Sequence, residues 1–552
     1  MSKVRLVYMG FCLLFAIIVA KLFYLQIINP QFRSNSGYLN YSKLQAGRGK
    51  VLDRNGNPLV LNKPTYRLYA EPKNVKNKSE LVEDISRVLE LDEASIEARL
   101  DMTKDWVSLA QDLSQEQRNK IVKLGLKGVG FEEGMRRSYP EASLAAHVLG
   151  FVGKTEKGDN TGYFGIEGFY DKDLIGLPGF VTSERDLFGR LILLGNQEKI
   201  ESEDGRDLTL TIDSSVQRIV KERLVKALET YKAKQGCVAV ADPMNMEILA
   251  LACQPDFDPN EYYKFTDEFF GNSFISSLYE PGSTFKPLVV AAALDAKKIK
   301  PTDMYNEQGP IHLGGFSIRT WNNKYEGKIS ITRILEKSSN VGMVHIGSKL
   351  GEKNLVSALQ KYGFGQRTGI DLEGETAGYL KPEGQWYPID YATATFGQGI
   401  AVSPIQMLTA FSSIINGGEL LTPHMVKELV YGDRSKKVEK KVVRRTISPE
   451  TSEIIKKMLV STVEHGEYKW AKPKGYKIGG KTGTAQIAVQ GKYDASKTIA
   501  SFIGFAPADK PKFIALVVLK EPGTSIYGSE TAAPLFFEIA KELLVYYNIA
   551  PQ

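Results

Sequence analysis

Residues 6–20 are uncharged and almost wholly apolar, and after Lys21 the run resumes as Leu22-Phe23-Tyr24-Leu25-Gln26-Ile27-Ile28. The 23 residues from 6 to 28 make about 34 Å of helix, enough to cross a bilayer. Lys21 lies near the end of the run, where its amine can snorkel to the interface. A cleaved signal peptide is the alternative, since Lys3 and Arg5 form a basic leading segment. The apolar stretch nevertheless continues past Ala20, the one small-residue stop, which favours an uncleaved anchor. The same two cations predict a cytoplasmic N-terminus, and no second run of this kind follows, so residues 29–552 are expected outside the membrane. That placement argues against chemistry fed by cytosolic ATP.

Beyond the anchor the pattern turns mixed. Gly47-Arg48-Gly49-Lys50 leads through Val51-Leu52 to Asp53-Arg54-Asn55-Gly56, whose Asn-Gly pair predicts a tight turn between short strands. Leu81, Val82, Ile85, Val88 and Leu89 recur at helical spacing, predicting a small helical insertion over residues 78–125. Residues 200–205 are polar and mark a boundary. After it, residues 208–212 read as a strand, and Ser214 or Ser215 is expected to cap a helix reaching about Lys234. Residues 238–241 and 248–252 read as a hairpin around Pro243-Met244-Asn245. Residues 498–505 and 513–519 are strand-like, and Pro534 opens a last helix to about Tyr547. Strands and helices arranged in this way predict an α/β (α+β) domain, an antiparallel sheet flanked by helices. The expected segments are a tail at 1–5, the anchor at 6–28, a mixed α/β region at 29–203 and a larger domain at 204–552.

Composition narrows the function classes. The chain has 552 residues, 43% apolar and 24% charged, with 50 Gly and 24 Pro, values of a folded protein rather than a fibrous or disordered one. The net charge of +7 is spread along the chain with no block of basic residues, which argues against nucleic acid as a partner. Cys12, Cys237 and Cys253 form no C-x-x-C pair, and the five histidines form no H-E-x-x-H, so no metal and no cofactor is expected. Cys237 and Cys253 flank the hairpin; they are expected to be buried and reduced, with a cross-strand bond as the alternative.

Three short motifs carry candidate chemistry. In Pro281-Gly282-Ser283-Thr284-Phe285-Lys286-Pro287, proline is tolerated only in the first turn of a helix, so Ser283 falls at or just before the start of an apolar helix over residues 288–294. There it faces the positive end of the helix dipole, and Lys286, three residues on, shares its face. A desolvated lysine can take the proton that an unactivated serine must lose to become a nucleophile. Ser338-Ser339-Asn340 falls at a predicted turn between two helices, where a hydroxyl and an amide can relay a proton and hold a carbonyl. Gly479-Gly480-Lys481-Thr482-Gly483-Thr484 leads into a strand over residues 485–489; its glycines let an extended peptide approach, and Lys481 and Thr482 can bind a carboxylate. This stretch also spells a phosphate-binding loop from Gly475 to Thr482, but its flanks supply neither the buried strand before it nor the helix after it.

The three motifs in this order resemble the set of the penicillin-binding proteins and β-lactamases. With the anchor, the chain resembles a class B penicillin-binding protein, a membrane-bound peptidoglycan D,D-transpeptidase, over nearly its whole length. The resemblance includes Arg48-Gly49, Asp53-Arg54-Asn55-Gly56, Arg136-Arg137-Ser138-Tyr139-Pro140, Gly165-Ile166-Glu167, Phe396-Gly397-Gln398-Gly399 and Ser501-Phe502-Ile503-Gly504-Phe505-Ala506-Pro507. It implies a transpeptidase fold at 204–552 on an elongated non-catalytic, dimerisation-like pedestal at 29–203. It also implies Ser283 as the acylated nucleophile, Lys286 as its base, Ser338 and Asn340 as the second motif, and Lys481, Thr482 and Gly483 as the third. The N–H groups of Ser283 and Thr484 would form the oxyanion hole. The implied partners are peptidoglycan stem peptides, β-lactam antibiotics, a separate membrane glycan polymerase and division proteins, at the bacterial cytoplasmic membrane. Within the family the chain looks more like the division-specific branch than the elongation-specific one. A carboxypeptidase, β-lactamase or β-lactam sensor would share the motifs, and the anchor and long pedestal argue against these. A scaffold with a vestigial site is disfavoured because all three motifs are intact.

Overall fold

The structure, a computed structural model, describes residues 3–24, 39–156, 159–184, 197–489 and 492–551. Its contacts divide the chain into two compact units, one of Met1–Arg48 with Ile175–Gly205 and one of Gly49–Leu174 with Arg206–Gln552.

In the first unit, residues Lys3–Phe23 form a helix whose stretch Arg5–Phe23 is long and apolar enough to cross a membrane. Residues 25–28 of the expected span lie outside the described residues. Strand Gly179–Glu184 pairs antiparallel with Leu39–Leu44 on one side and Gln197–Ile200 on the other.

In the second unit, Val51–Leu52 turns back into Pro58–Ala70 as Asn55-Gly56 predicts: Gly56 sits at φ +87°, and the Asp53 carboxylate accepts the N–H groups of Asn55 and Asn57 at 2.8 Å. The helical insertion is present as Lys78–Leu89, Glu93–Arg99 and Gln115–Lys123, which bury Leu81, Val82, Ile85, Leu89, Ile96 and Ile121 together. It also holds a strand the periodicity does not announce, Val107–Leu113, paired with Pro58–Ala70. On its other side Val51–Leu52 pairs in parallel with Asp207–Leu210, which pairs antiparallel with Val426–Tyr431. One mixed sheet thus takes strands from both sides of position 203.

The central sheet is antiparallel throughout, in the order Ile248–Gln254, Gln235–Ala241, Phe513–Lys520, Lys492–Ala506, Gly479–Val489. Side chains alternate across it, so a strand covered on both faces must be apolar at both parities. Val238, Val240, Phe502, Val517 and Leu519 pack with helices Ser214–Tyr231 and Ala532–Tyr546. Ala239, Ala241, Ile503, Phe505, Ile514 and Leu516 pack with the cluster containing Leu288, Val290 and Phe411. Each such fully buried large side chain stabilises the fold by about 1.5–3 kcal/mol.

Two expectations are corrected. The cap of helix Ser214–Tyr231 is Asp213, whose carboxylate accepts the N–H groups of Ser215 and Val216, while Ser214 Oγ donates to Asp53. Cys237 and Cys253 are not reduced: they form a disulfide. The cause is a β-bulge. Ala241 pairs with Ile248, but the register then shifts so that Val240 meets Ala250, and the shift sets Cys237 opposite Cys253 with Cα atoms 4.1 Å apart. An unbulged hairpin from the same turn would set Cys237 against Ala252.

Candidate active site

Gly282–Phe285 is a single turn of 3-10 helix that runs into the α-helix Lys286–Asp295. The α-helix is apolar on every side from Leu288 to Leu294 and buried on every side, as such a helix must be. Lys286 enters this interior in the first turn and is fully buried, while Ser283 stays half-exposed at the cleft. The serine turn needs two close backbone approaches. Gly282 holds φ +55° and donates its N–H to Gly397 O at 3.0 Å, and a Cβ on Gly397 would meet that same Gly282 carbonyl at 2.2 Å.

Ser338-Ser339-Asn340 joins helices Ile331–Glu336 and Asn340–Leu350, the inter-helix turn that the sequence predicts. Its two serines have different tasks. Ser339 is buried and caps the second helix, accepting from Gly342 N at 2.9 Å. Ser338, at φ +58°, turns towards Lys286. The amine of Lys286 donates to Ser338 O at 2.7 Å and Asn340 Oδ1 at 2.8 Å, and lies 3.1 Å from Ser338 Oγ. Asn340 Nδ2 donates to Arg319 O at 2.9 Å, which fixes the amide so that its oxygen faces the lysine.

The third motif lies inside strand Gly479–Val489 rather than before it. Lys481 pairs across the ladder with Ile503, Thr482 with Phe502, Gly483 with Ser501 and Thr484 with Ala500. A phosphate-binding loop is therefore excluded, because this backbone is a sheet ladder and leads to another strand, not to a helix. Gly483 has a packing reason of its own: a Cβ there would meet Ser501 Oγ at 2.4 Å, and Pro281 O and Thr284 Cγ2 at 2.9 Å. Its bareness lets the serine turn lie against the strand.

Ser283, Ser338, Asn340, Lys481, Thr482 and Thr484 line one cleft of about 300 Å³, together with Trp321, Phe396, Gln398, Glu467 and Tyr527. Lys286 lies beneath the cleft, and Gly483 packs behind it. The motif reading did not single out Trp321, Glu467 or Tyr527; each stands in an irregular stretch, and only the fold brings it to the cleft. Burial sets the electrostatics. Desolvation holds the Lys286 amine well below its ordinary value, with the Lys481 cation adding to the effect. Desolvation likewise lowers Lys481, to about 7, against a smaller opposing pull from Glu467. A neutral Lys286 can donate its two N–H groups to the two carbonyl oxygens and keep a lone pair for a hydroxyl proton.

A family model described as "Penicillin binding protein transpeptidase domain" matches residues 236–541, and one described as "Penicillin-binding Protein dimerisation domain" matches residues 43–210. The chain is 36% identical to Stage V sporulation protein D of Bacillus subtilis over 98% of its own length and 86% of that protein. It is 31% identical to Peptidoglycan D,D-transpeptidase FtsI of Escherichia coli, over 98% and 91% of the two lengths. Among solved structures, a peptidoglycan synthetase from Bifidobacterium adolescentis superposes with a TM-score of 0.75 at 27% identity, covering 93% of this chain and 98% of that one. Penicillin Binding Protein 2X from Streptococcus thermophilus gives 0.77 at 24% identity, covering 93% and 80%, a likeness of fold.

The buried lysines tie stability to pH. Unfolded, Lys481 regains its ordinary value, so between about 7 and 10.5 the unfolded chain holds a proton that the folded chain lacks, and stability rises with pH across that window. Lys481→Met removes the difference. Urea titrations should show the variant more stable than wild type near about pH 7 and gaining less between about pH 7 and pH 9. Parallel pH dependences for the two proteins would place the Lys481 amine in water.

Proposed function

The chain belongs to the penicillin-binding protein transpeptidase family, and we propose that it cross-links peptidoglycan stem peptides through an acyl-enzyme on Ser283. The observation that carries this reading is the Lys286 amine, buried beneath the serine turn and held between Ser338 and Asn340. In the proposed reaction the neutral amine takes the Ser283 hydroxyl proton as Oγ attacks the penultimate D-Ala carbonyl. The N–H groups of Ser283 and Thr484 receive the oxyanion, a contribution of about 3 kcal/mol per fixed donor in comparable sites. Ser338 passes the proton to the departing D-Ala amine, and Lys481 with Thr482 holds the peptide carboxylate. An acceptor amine then attacks the ester and releases Ser283. A β-lactam enters by the same first step and stays bound, because its ring-opened leaving group cannot depart.

Residues 29–203 act as the non-catalytic pedestal and 204–552 as the catalytic domain. The chain is held by one span with Lys3 and Arg5 on the cytoplasmic side and the cleft outside. With chemistry confined to cross-linking, a separate membrane glycan polymerase supplies the strands, and division proteins place the enzyme at the septum. The run Phe396-Gly397-Gln398-Gly399-Ile400-Ala401-Val402-Ser403-Pro404 and the single-anchor layout support the division branch. A second reading, cross-linking during sporulation, is favoured by the higher identity to the protein named for stage V of that process.

Labelled penicillin should add covalently to Ser283, and Ser283→Ala should abolish the adduct. Lys286→Ala should slow acylation by about 10²–10⁴-fold in a folded protein; an adduct on Ser338, or rapid turnover of label, would defeat the reading. Protease applied outside intact protoplasts should digest the chain beyond the anchor, whereas full protection would reverse the orientation. Depletion should leave filaments or chains with unfinished septa. Swollen round cells that still divide would assign the enzyme to elongation, and normal division with failed spores would assign it to sporulation.

A further inference from the structure

Resting on that reading of the cleft, we propose that Glu307 is a positioning residue for acylation: its buried carboxylate grips the residues on either side of Ser338 and so holds the Ser338 carbonyl and hydroxyl on Lys286. Glu307 ends strand Met304–Glu307, outside all three motifs, and its side chain is wholly buried. A carboxylate taken from water needs donors at its lone pairs, and this one has three. Ser339 Oγ donates to one oxygen; Lys337 Nζ at 2.7 Å and Glu326 N at 3.1 Å donate to the other. Lys337 is itself nearly buried, with its side chain 8% exposed. The two residues flanking Ser338 are thus tied to a single group.

The tie matters because of what lies between its ends. Ser338 holds φ +58°, the left-handed residue that follows helix Ile331–Glu336, with Ser339 N reaching back to Ile334 O at 2.9 Å. From that conformation its O and Oγ both reach the Lys286 amine. On the Ser339 side the restraint continues into the next helix, since Ser339 Oγ accepts from Gly342 N while its hydrogen goes to Glu307. A buried ion pair is a poor device for stability alone, since apolar residues of the same volume usually serve as well. Its place here, straddling the residue that faces the base, is explained by geometry.

The test uses the full-length protein and a fluorescent penicillin, with acylation rates measured across reporter concentration. Glu307→Gln removes the charge and one acceptor; Glu307→Gln with Lys337→Met also removes the cation, which in the single variant keeps Glu326 Oε1 at 3.7 Å and Lys324 O at 3.3 Å. In both, the rate constant at saturation should fall about 10- to 100-fold, while the half-saturating concentration stays within about threefold of wild type. The double variant should do so with a melting temperature near that of wild type. A folded double variant acylated at the wild-type rate overturns the proposal, as does a loss confined to the half-saturating concentration. So does a rate loss in Glu307→Gln that the double variant restores along with its melting temperature, which would make the pair structural only. An unacylated wild type would instead remove the reading of the cleft on which the proposal rests.

Discussion

A buried amine that, among the described residues, has no carboxylate within ion-pair distance is the constraint around which the cleft is built. The hydrogen bonds of Lys286 go to a backbone carbonyl, a hydroxyl and an amide oxygen, none of them a carboxylate. These partners accept N–H groups without fixing the proton that a carboxylate would hold in place. The neighbouring Lys481 cation adds repulsion, so the pair favours states in which at most one amine is charged. Burying both costs stability, and the two cores on either face of the central sheet offset it.

Bringing these groups together is a problem of long-range packing. Ser283, Ser338 and Lys481 come from a helix start, an inter-helix turn and a strand, and no local sequence preference places them side by side. What does is a set of close backbone contacts. The serine turn lies against the strand where Gly483 has no side chain, and against Gly397, where a Cβ would collide with the Gly282 carbonyl. Gly483 and Gly397 are therefore as much a part of the cleft's construction as its polar residues, although in place of a side chain each contributes only the absence of atoms.

Much of this was legible in the sequence because local rules decide it. Proline in a first helical turn sets Ser283 at the helix start, Asn55-Gly56 makes its turn, and the strands of the central sheet announce themselves by apolar runs. What was not legible depends on partners far along the chain. Asp213, Ser214 and Ser215 are all competent caps by composition, and the choice among them follows from Asp53, which takes the Ser214 hydroxyl. Val107–Leu113 carries Gln111 and Asp112 where alternation would ask otherwise, so only its neighbour on Pro58–Ala70 makes it a strand. The disulfide hangs on a one-residue bulge, and no side-chain pattern in the hairpin marks it. Glu307 carried no motif because its partners, Lys337 and Ser339, are about thirty residues away and acquire meaning only through the residue between them.

The string Gly479-Gly480-Lys481-Thr482-Gly483-Thr484 shows how backbone pairing decides the chemistry of a motif. In a phosphate-binding loop the same residue types present several N–H groups to one anion, which requires a backbone free of ladder partners. Here strand Lys492–Ala506 takes one side of the backbone, and the motif strand stands last in the order of the sheet. A strand in that position offers alternating donors and acceptors on its other side, the arrangement suited to an extended peptide rather than to a compact anion, with the Gly480 carbonyl already accepting from Thr462 Oγ1. Lys481 lines the same cleft as Ser283, where the proposed reading has it meet a single carboxylate. Composition alone is neutral between the two ligands; the ladder with Lys492–Ala506 excludes the phosphate loop and leaves the geometry on which the proposed peptide site rests.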